Sequence, residues 1–130
     1  NLFFDLNEKL ARLMQPFKEY AVAIEEIHHT QKLDAPSGTA ISLAEQIVAH
    51  SSLTGWKAEQ AEKNEIPVYS KRVDEVPGTH TVSYTSKADT LEIKHTAHSR
   101  EGFALGAVIA AEWIKNKKGV FTMKDVLSGL

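Results

Sequence analysis

Several features that would indicate particular classes of protein are missing from this sequence. There is no cysteine, which excludes a disulfide framework and any metal site built from thiolates. No apolar run approaches the roughly 20 residues that cross a membrane, and no signal-peptide pattern opens the chain. Basic residues number 15 against 17 acidic ones, so no charge excess favours nucleic acid or an anionic membrane. These absences predict a cytoplasmic protein that binds neither nucleic acid nor membrane.

The glycines lack the spacing that one common ligand site requires. A dinucleotide-binding fingerprint places glycines in the order G-x-G-x-x-G at the turn from a strand into a helix. The stretches GTHTVSY and GFALGAV have the wrong spacing and the wrong context for it. The chain also begins without methionine, in the apolar segment NLFFDLNEKL. We therefore expect a domain cut from a longer protein, without the part that binds a dinucleotide.

The apolar pattern predicts one domain that contains both helices and strands. Leucines recur at helical spacing near the start, where Asp5 can cap a helix, and a β-rich segment follows and ends at two histidines. Residues 51–66 carry weak, mixed signals and are predicted to form a loop with a short helical turn. The predicted helices span residues 5–20, 39–50 and 100–116, with a final short helix capped by Thr122, and the predicted strands span 21–29, 68–73, 80–85 and 91–95.

The order of these elements predicts an α+β fold. Because the strands cluster and short turns join most of them, we expect a mixed or antiparallel sheet with helices packed on one face. The other face is predicted to serve oligomerisation, with four apolar side chains available for it: Val82, Tyr84, Leu91 and Ile93. In the helix over 100–116, Trp113 is predicted to face the core. The small residues of that helix are predicted to pack against the sheet or across a subunit interface.

The stretch IHHTQKLDAPSGTA, residues 27–40, has a density of polar side chains that packing does not explain. Neighbouring side chains of a strand point to opposite sides, so His28 and His29 cannot readily share one metal ion. Lys32 lies in a loop that can curl back over the same pocket. The Ser-Gly-Thr sequence at 37–39 then offers hydroxyls and backbone N–H groups at a helix start, where the dipole favours an anion. This pattern predicts a cationic pocket for a small di- or polyanion such as a carboxylate, with histidine as a general acid.

Less specific interpretations of the same residues exist. Ser-Gly-Thr before an apolar helix is a routine cap, and Lys32 by itself would be a surface charge. His80, His95 and His98 with Glu92 could suggest a zinc site. Their spacing matches no established zinc signature, so we expect no metal.

The motif resembles the signature of the dihydrodipicolinate reductase family, also called 4-hydroxy-tetrahydrodipicolinate reductase. That signature is two histidines, two variable residues, lysine, a variable residue, then Asp-Ala-Pro-Ser-Gly-Thr-Ala, and the sequence from His28 to Ala40 meets every fixed position. The resemblance extends over GTHTVSYTSKADTLEIKHTAHSREGFALGAV and GVFTMKDVL. At the start, NLFFDLN is only partly similar to the family's Asn-Phe-Ser segment, because Leu2 and Phe3 replace Phe and Ser.

The resemblance implies a specific activity and architecture. The family transfers hydride from NADH or NADPH to a cyclic dicarboxylate, 4-hydroxy-tetrahydrodipicolinate, and so makes tetrahydrodipicolinate for lysine and diaminopimelate biosynthesis. Residues 1–130 are then the C-terminal substrate-binding and oligomerisation domain of a homotetramer, and the N-terminal Rossmann domain is absent. The chain alone is expected to have no reductase activity. The alternative is a non-catalytic dicarboxylate-binding or assembly module with the same fold.

The resemblance also implies a role for individual residues. His28 corresponds to the proton donor or acceptor and Lys32 to a proton donor. The residues that the resemblance implies contact the substrate carboxylates are His29, Ser37, Gly38, Thr39 and Arg100. The residue that it implies contacts the cofactor is Asn1. One departure lies between Tyr69 and Gly78, where many members of the family have an additional hairpin-like insertion. This shortening affects the expected strand count and the oligomer interface rather than the site.

Overall fold

The computed structural model describes residues 1–130 as an α+β domain with one mixed sheet of five strands. The elements in chain order are α1 Leu2–Met14, β1 Ala21–His28, α2 Gly38–Ala49, β2 Gly55–Ala58, β3 Glu65–Arg72, β4 Gly78–Thr85, β5 Thr90–Ala97, α3 Glu101–Ile114 and α4 Met123–Ser128. The strands lie in the order β2-β3-β1-β4-β5. The β2–β3 and β3–β1 pairs are parallel, and the β1–β4 and β4–β5 pairs are antiparallel. The predicted fold class is confirmed.

The core lies between one face of the sheet and helices α1 and α2. On the central strand, Ile24 pairs with Val68 of β3 and with Val82 of β4, and all three are completely buried. Leu43 and Ile47 of α2 are buried against this face. Because side chains of a strand alternate between faces, the same face of β1 continues from Ile24 to Glu26 and His28. The buried face thus becomes polar toward the end of β1.

The opposite face of the sheet is left without a helix and is more polar than expected. Val82 and Tyr84 were predicted to supply apolar surface there, but they are buried in the core at 0% and 3% exposure. That prediction was wrong because the register aligns Val82 with Ile24, on the side covered by helices. Leu91 and Ile93 pair with Tyr84 and Val82 and therefore share the helix-covered side. The uncovered face carries the alternate residues, among them Glu25, Tyr69, Lys71, Thr81, Ser83, Glu92 and Lys94.

Two boundaries in the first half of the chain differ from the prediction. Helix α1 begins at Leu2 and ends at Met14, so Asp5 lies in its first turn and Asn1 occupies the N-cap position. Pro16 explains the early end, because it has no N–H group with which to continue the helical hydrogen bonds beyond Gln15, which itself keeps helical φ and ψ of -52° and -41°. The segment predicted to be a loop contains β2, which pairs with β3 only. A strand of four residues at a sheet edge leaves little periodicity in the sequence.

Helix α3 does not pack on the sheet. None of its residues is buried, and Phe103, Leu105 and Val108 are more than half exposed. A side chain added at Gly102 or Gly106 would meet no neighbour, so the predicted packing of the small residues onto the sheet is wrong. Trp113 also lies outside the core, edge-on to Phe121 with ring centroids 5.2 Å apart and under the ammonium of Lys117. None of the helices has the length and apolar character required to span a membrane.

Candidate functional site

The motif from His28 to Ala40 forms the crossing from the end of β1 to the start of α2. The backbone leaves the sheet after His28, whose carbonyl accepts a hydrogen bond from the N–H of Val73. The Ala35–Pro36 peptide bond is cis. Ser37 is the N-cap of α2, and its hydroxyl accepts a hydrogen bond from the backbone N–H of Ala40 at 3.2 Å. Ser37 therefore has the capping role that its sequence context indicates. Gly38, exposed, and Thr39, half-buried, form the first turn of α2.

His28 is held against a buried carboxylate. Its Nδ1 contacts Oε2 of Glu26, and the Glu26 side chain has no exposed surface. The other carboxylate oxygen of Glu26 accepts a hydrogen bond from Nη2 of Arg72 at 3.0 Å. Burial acts to raise the pKa of Glu26. The hydrogen bonds that its carboxylate accepts, among them those from Arg72 and His28, outweigh the effect of burial, so the pKa is lowered. Glu26 is therefore an ionised acceptor at neutral pH.

A third histidine completes this buried cluster. His80 pairs with Glu26 across β1 and β4, and its ring lies edge-on to the ring of His28, with centroids 5.1 Å apart. Its Nε2 lies 3.1 Å from the hydroxyl of Ser37, which connects the end of the sheet to the start of α2. Burial, followed by the positive charge that His28 can carry, lowers the pKa of His80 to about 4. His80 is neutral at physiological pH.

Arg72 connects the carboxylate to the loop that carries Lys32. Its guanidinium donates to the backbone carbonyl of Asp34 at 2.7 Å and, more weakly, to that of Lys32 at 3.4 Å. The ammonium of Lys32 contacts both carboxylate oxygens of Asp34, at 2.8 and 3.0 Å. This hydrogen bond keeps the pKa of Asp34 below its usual value. The loop thus curls back over the end of the sheet, as the sequence predicts.

His29 and Arg100 share a surface groove. The groove has a volume of about 290 Å³ and is lined by His29, Thr30, Gln31, Glu75, Pro77 and Arg100. It contains no apolar side chain except that of Pro77. A larger hollow of about 400 Å³ lies between the ends of α1 and α2, at Arg12 and His50, and contains no residue of the motif. The groove, which adjoins the motif, is the better candidate site.

The structure thus brings together most of the residues predicted for the site. His28 and Ser37 meet at the His80 cluster, Lys32 lies in the loop above it, and His29 and Arg100 lie in the groove. Asn1 lies at the exposed start of α1, and its side chain makes no capping hydrogen bond. The contact of Asn1 with a cofactor stays a prediction.

Sequence reasoning missed Glu26 and Arg72, and it placed His80 beside the pocket without assigning it a specific role. The alternation Ile24, Glu26, His28 was the available signal, because it places a carboxylate on the buried face of a strand. A buried carboxylate requires a charged or hydrogen-bonding partner. That partner, Arg72, lies 46 residues away, and no local pattern pairs the two.

A metal ion has one geometrically suitable position in the domain. Ligand atoms of Glu26, His28 and His80 all lie within 4.8 Å of one another. Each of these side chains already has a protein partner, and the Arg72 cation on Glu26 opposes binding of a second cation there. The zinc grouping considered from sequence does not form, since Glu92 lies on the uncovered face of the sheet and His80 and His95 lie on the other face.

Fold and site together define a class of small α+β domain, with a histidine-rich cluster and a polar groove at the end of its central strand. The comparisons with known proteins identify the class further. Residues 1–127 match the family model described as "Dihydrodipicolinate reductase, C-terminus". The chain belongs to this family.

Several relatives share this assignment. The chain is 62% identical to the 4-hydroxy-tetrahydrodipicolinate reductase of Christiangramia forsetii, over all of the chain and 55% of that protein. It is 44% identical to the enzyme of Aquifex aeolicus, over 98% of the chain and 50% of that protein. A solved structure, the dipicolinate-bound dihydrodipicolinate reductase from Paenisporosarcina sp. TG-14, superposes with a TM-score of 0.65 at 26% identity, over 84% of this chain and 44% of that one. The chain therefore spans about half the length of the curated relatives that it matches.

Proposed function

We propose that this chain is the substrate-binding and oligomerisation domain of a reductase that acts on 4-hydroxy-tetrahydrodipicolinate. The product would be tetrahydrodipicolinate, an intermediate of the diaminopimelate route to lysine. The single observation that carries the proposal is the complete motif from His28 to Ala40, folded between the histidine cluster and the groove, in a chain whose relatives bear this enzyme's name. A cytoplasmic location is part of the proposal.

The groove is suited to a small dianion. His29 and Arg100 lie on its wall, and the start of α2 at Gly38 and Thr39 presents N–H groups near the hydroxyl of Ser37. Backbone N–H groups at a helix N-terminus and an arginine are two of the common ways in which proteins hold carboxylates. We assign one carboxylate of the substrate to the helix start with His29 and the other to Arg100.

The reduction also requires a proton. The 4-hydroxyl group of the substrate must leave as water, which creates a conjugated double bond in the ring. The hydride adds to this conjugated system, and the electron pair that it displaces takes up one proton. His28 and Lys32 are the groups in this chain that can supply it, and we assign proton donation to them. In the unliganded chain Lys32 is paired with Asp34, and this pair must separate or turn for the ammonium to reach a ligand in the groove.

The hydride donor, NADPH or NADH, does not fit the residues of this chain. No strand-to-helix turn of the domain carries the glycine fingerprint, and the loop before α2 is occupied by the motif itself. We assign dinucleotide binding to the half of the relatives that this chain does not cover. The isolated chain is accordingly expected to lack reductase activity, and only the protein with both halves should reduce the substrate.

Titration calorimetry of this chain with pyridine-2,6-dicarboxylate tests the substrate assignment. We expect binding that is weakened about tenfold or more by His29→Ala or Lys32→Ala, because each change removes a charged or hydrogen-bonding contact of about 1.5–3 kcal/mol. His50→Ala is the matched control, since His50 lines the other hollow and its loss should leave the affinity unchanged. Absence of binding in both this chain and the two-domain protein would show that the substrate assignment is wrong.

A further inference from the structure

The carboxylate of Glu26 is the most deeply buried charge in the domain. It lies on the same face of β1 as His28, two residues before it, and has no exposed surface. Burial of an unpaired carboxylate is costly, and one partner, Arg72, satisfies only one of its oxygens. The other oxygen contacts Nδ1 of His28. The packing of the core does not require a charge at this position. Ile24, the preceding residue on the same face of β1, is apolar and fully buried.

This contact determines which nitrogen of His28 carries the hydrogen. An ionised carboxylate can only accept hydrogen bonds. Nδ1 must therefore be the protonated nitrogen of the neutral ring, and Nε2 keeps its lone pair. A ring held in this way can exchange protons at one atom only, and its orientation does not change when Nε2 gains or loses a proton.

The space beside Nε2 is kept open by a glycine. A Cβ atom added at Gly78 would lie 3.1 Å from Nε2 and 3.3 Å from Cδ2 of His28. These distances are shorter than ordinary van der Waals contact, so any other residue would crowd the nitrogen that the carboxylate leaves free. Gly78 begins β4, and Pro77 next to it lines the groove. The free nitrogen thus lies beside a backbone segment that borders the groove.

We propose that Glu26 is a positioning residue for His28, whose carboxylate holds Nδ1–H so that Nε2 is the atom that exchanges a proton with the substrate. The proposal rests on the proposed function for the proton transfer, but not for the state of the ring. Arg72 holds the second oxygen of Glu26 and also the carbonyls of the loop. Through this single guanidinium, the orientation of His28 is coupled to the position of the loop that carries Lys32.

The charged and titratable groups that face His28 are few. Glu26 on its own strand contacts the ring, and His80 on β4 lies edge-on to it; around these two lie Arg72 on β3, His95 on β5 and Lys32 in the loop. Of these, only Glu26 contacts a ring nitrogen of His28. A change at Glu26 should therefore alter the tautomer of His28 in a way that a change at a neighbouring carboxylate does not. Glu25 provides that comparison, since it points to the uncovered face and pairs with Lys71 at 2.7 Å.

Nitrogen NMR of the intact two-domain protein, labelled with ¹⁵N at histidine, tests the state of the ring. In the unaltered protein, neutral His28 should show a protonated Nδ1 and an unprotonated Nε2. Glu26→Gln should shift the neutral ring toward the Nε2–H form, whereas Glu25→Gln should leave the spectrum of His28 unchanged. A neutral ring protonated at Nε2 in the unaltered protein would overturn the proposal, and this result does not depend on whether any variant folds.

Steady-state kinetics of the same variants test the consequence for catalysis. Glu26→Gln should lower kcat by about 100-fold, within the usual contribution of a positioned acid or base, and should change KM much less. Its pH–rate profile should lose or displace the limb that reports His28, and Glu26→Asp should recover part of kcat because it restores the charge. Unchanged kcat in a folded Glu26→Gln protein would refute the positioning role. If the NMR result holds in a protein that lacks reductase activity, the proposed function fails and the assignment of the ring state stands.

Discussion

At the residue scale, the site shows how burial and partners separate the properties of similar side chains. His28, His29 and His80 lie in one small region, yet only His80 is deeply buried and has its pKa lowered to about 4. His28 has a carboxylate at Nδ1, and His29 lies on the groove wall. The three imidazoles therefore have different roles. His80 makes a neutral structural contact to Ser37, His28 is a candidate for proton transfer, and His29 is a candidate for carboxylate binding.

The lowered pKa of His80 predicts a specific loss of stability in mild acid. Its pKa is about 4 in the folded chain and near 6.5 when unfolded, so the unfolded state binds more protons between these values. Stability should fall as the pH is lowered from 6.5 to 4, by up to about 3 kcal/mol from this residue. His80→Gln should remove this part of the pH dependence in urea unfolding measured at pH 7, 5.5 and 4. Equal slopes for the two proteins would contradict it.

Glu26 contributes in a different pH range. Its pKa is lowered in the folded state, so the stabilisation that it provides is complete above its unfolded value near 4.5 and is lost only as the pH falls below that value. The two buried groups can therefore be separated in the same experiment. On acidification the destabilisation that arises from His80 develops first, and the loss of the stabilisation from Glu26 follows at lower pH.

At the element scale, α1 and α2 are joined by one buried polar side chain. Asn7 is fully buried, and its amide donates to the backbone carbonyl of Leu43 at 3.1 Å and to Gln46 at 2.9 Å. Its own amide oxygen has no hydrogen-bond partner. This contact fixes how the two helices lie together over the sheet, and hence where α2 and its first turn begin relative to the groove.

Loss of the Asn7 contact should cost measurable stability. Asn7→Ala removes two hydrogen bonds and leaves a small cavity, and we expect a loss of about 2 kcal/mol in the free energy of unfolding. Arg12→Ala, on the exposed side of the same helix, breaks only the surface pair with Glu8 and should cost about 0.5 kcal/mol or less. Urea unfolding of the two variants provides the comparison, and equal losses would show that Asn7 has no special role between the helices.

At the scale of the whole molecule, two surfaces are not covered by any other element of the chain. One is the face of the sheet opposite α1 and α2, and the other is the apolar side of α3, where Phe103, Leu105 and Val108 are exposed. The homotetramer remains a prediction, and these two surfaces are where it would form. The face of the sheet is mostly polar, so an interface there would depend on hydrogen bonds and ion pairs as much as on apolar burial.

Light scattering can determine which surface is used. If the tetramer forms through the sheet, Thr81→Lys should lower the mass in solution to that of a smaller assembly, because it places a charge at the centre of the uncovered face. Gln15→Lys, exposed beyond the end of α1 on the helical side, is the control and should leave the mass unchanged. A tetramer that survives Thr81→Lys and dissociates on Val108→Lys would assign the interface to α3 instead.

The sequence alone determined the features that depend on a few neighbouring residues. The motif from His28 to Ala40, the Ser37 cap and the alternation of β1 were all readable, because capping, turns and strand periodicity act over short distances along the chain. The tertiary structure alone decided which distant residues meet. Arg72 reaches Glu26, and His80 reaches Ser37, only because the strand order places β3 and β4 on either side of β1. Local sequence patterns did not predict three further features: the position of Trp113, the burial of Val82 and the edge strand β2. Each of them depends on the packing of the whole domain.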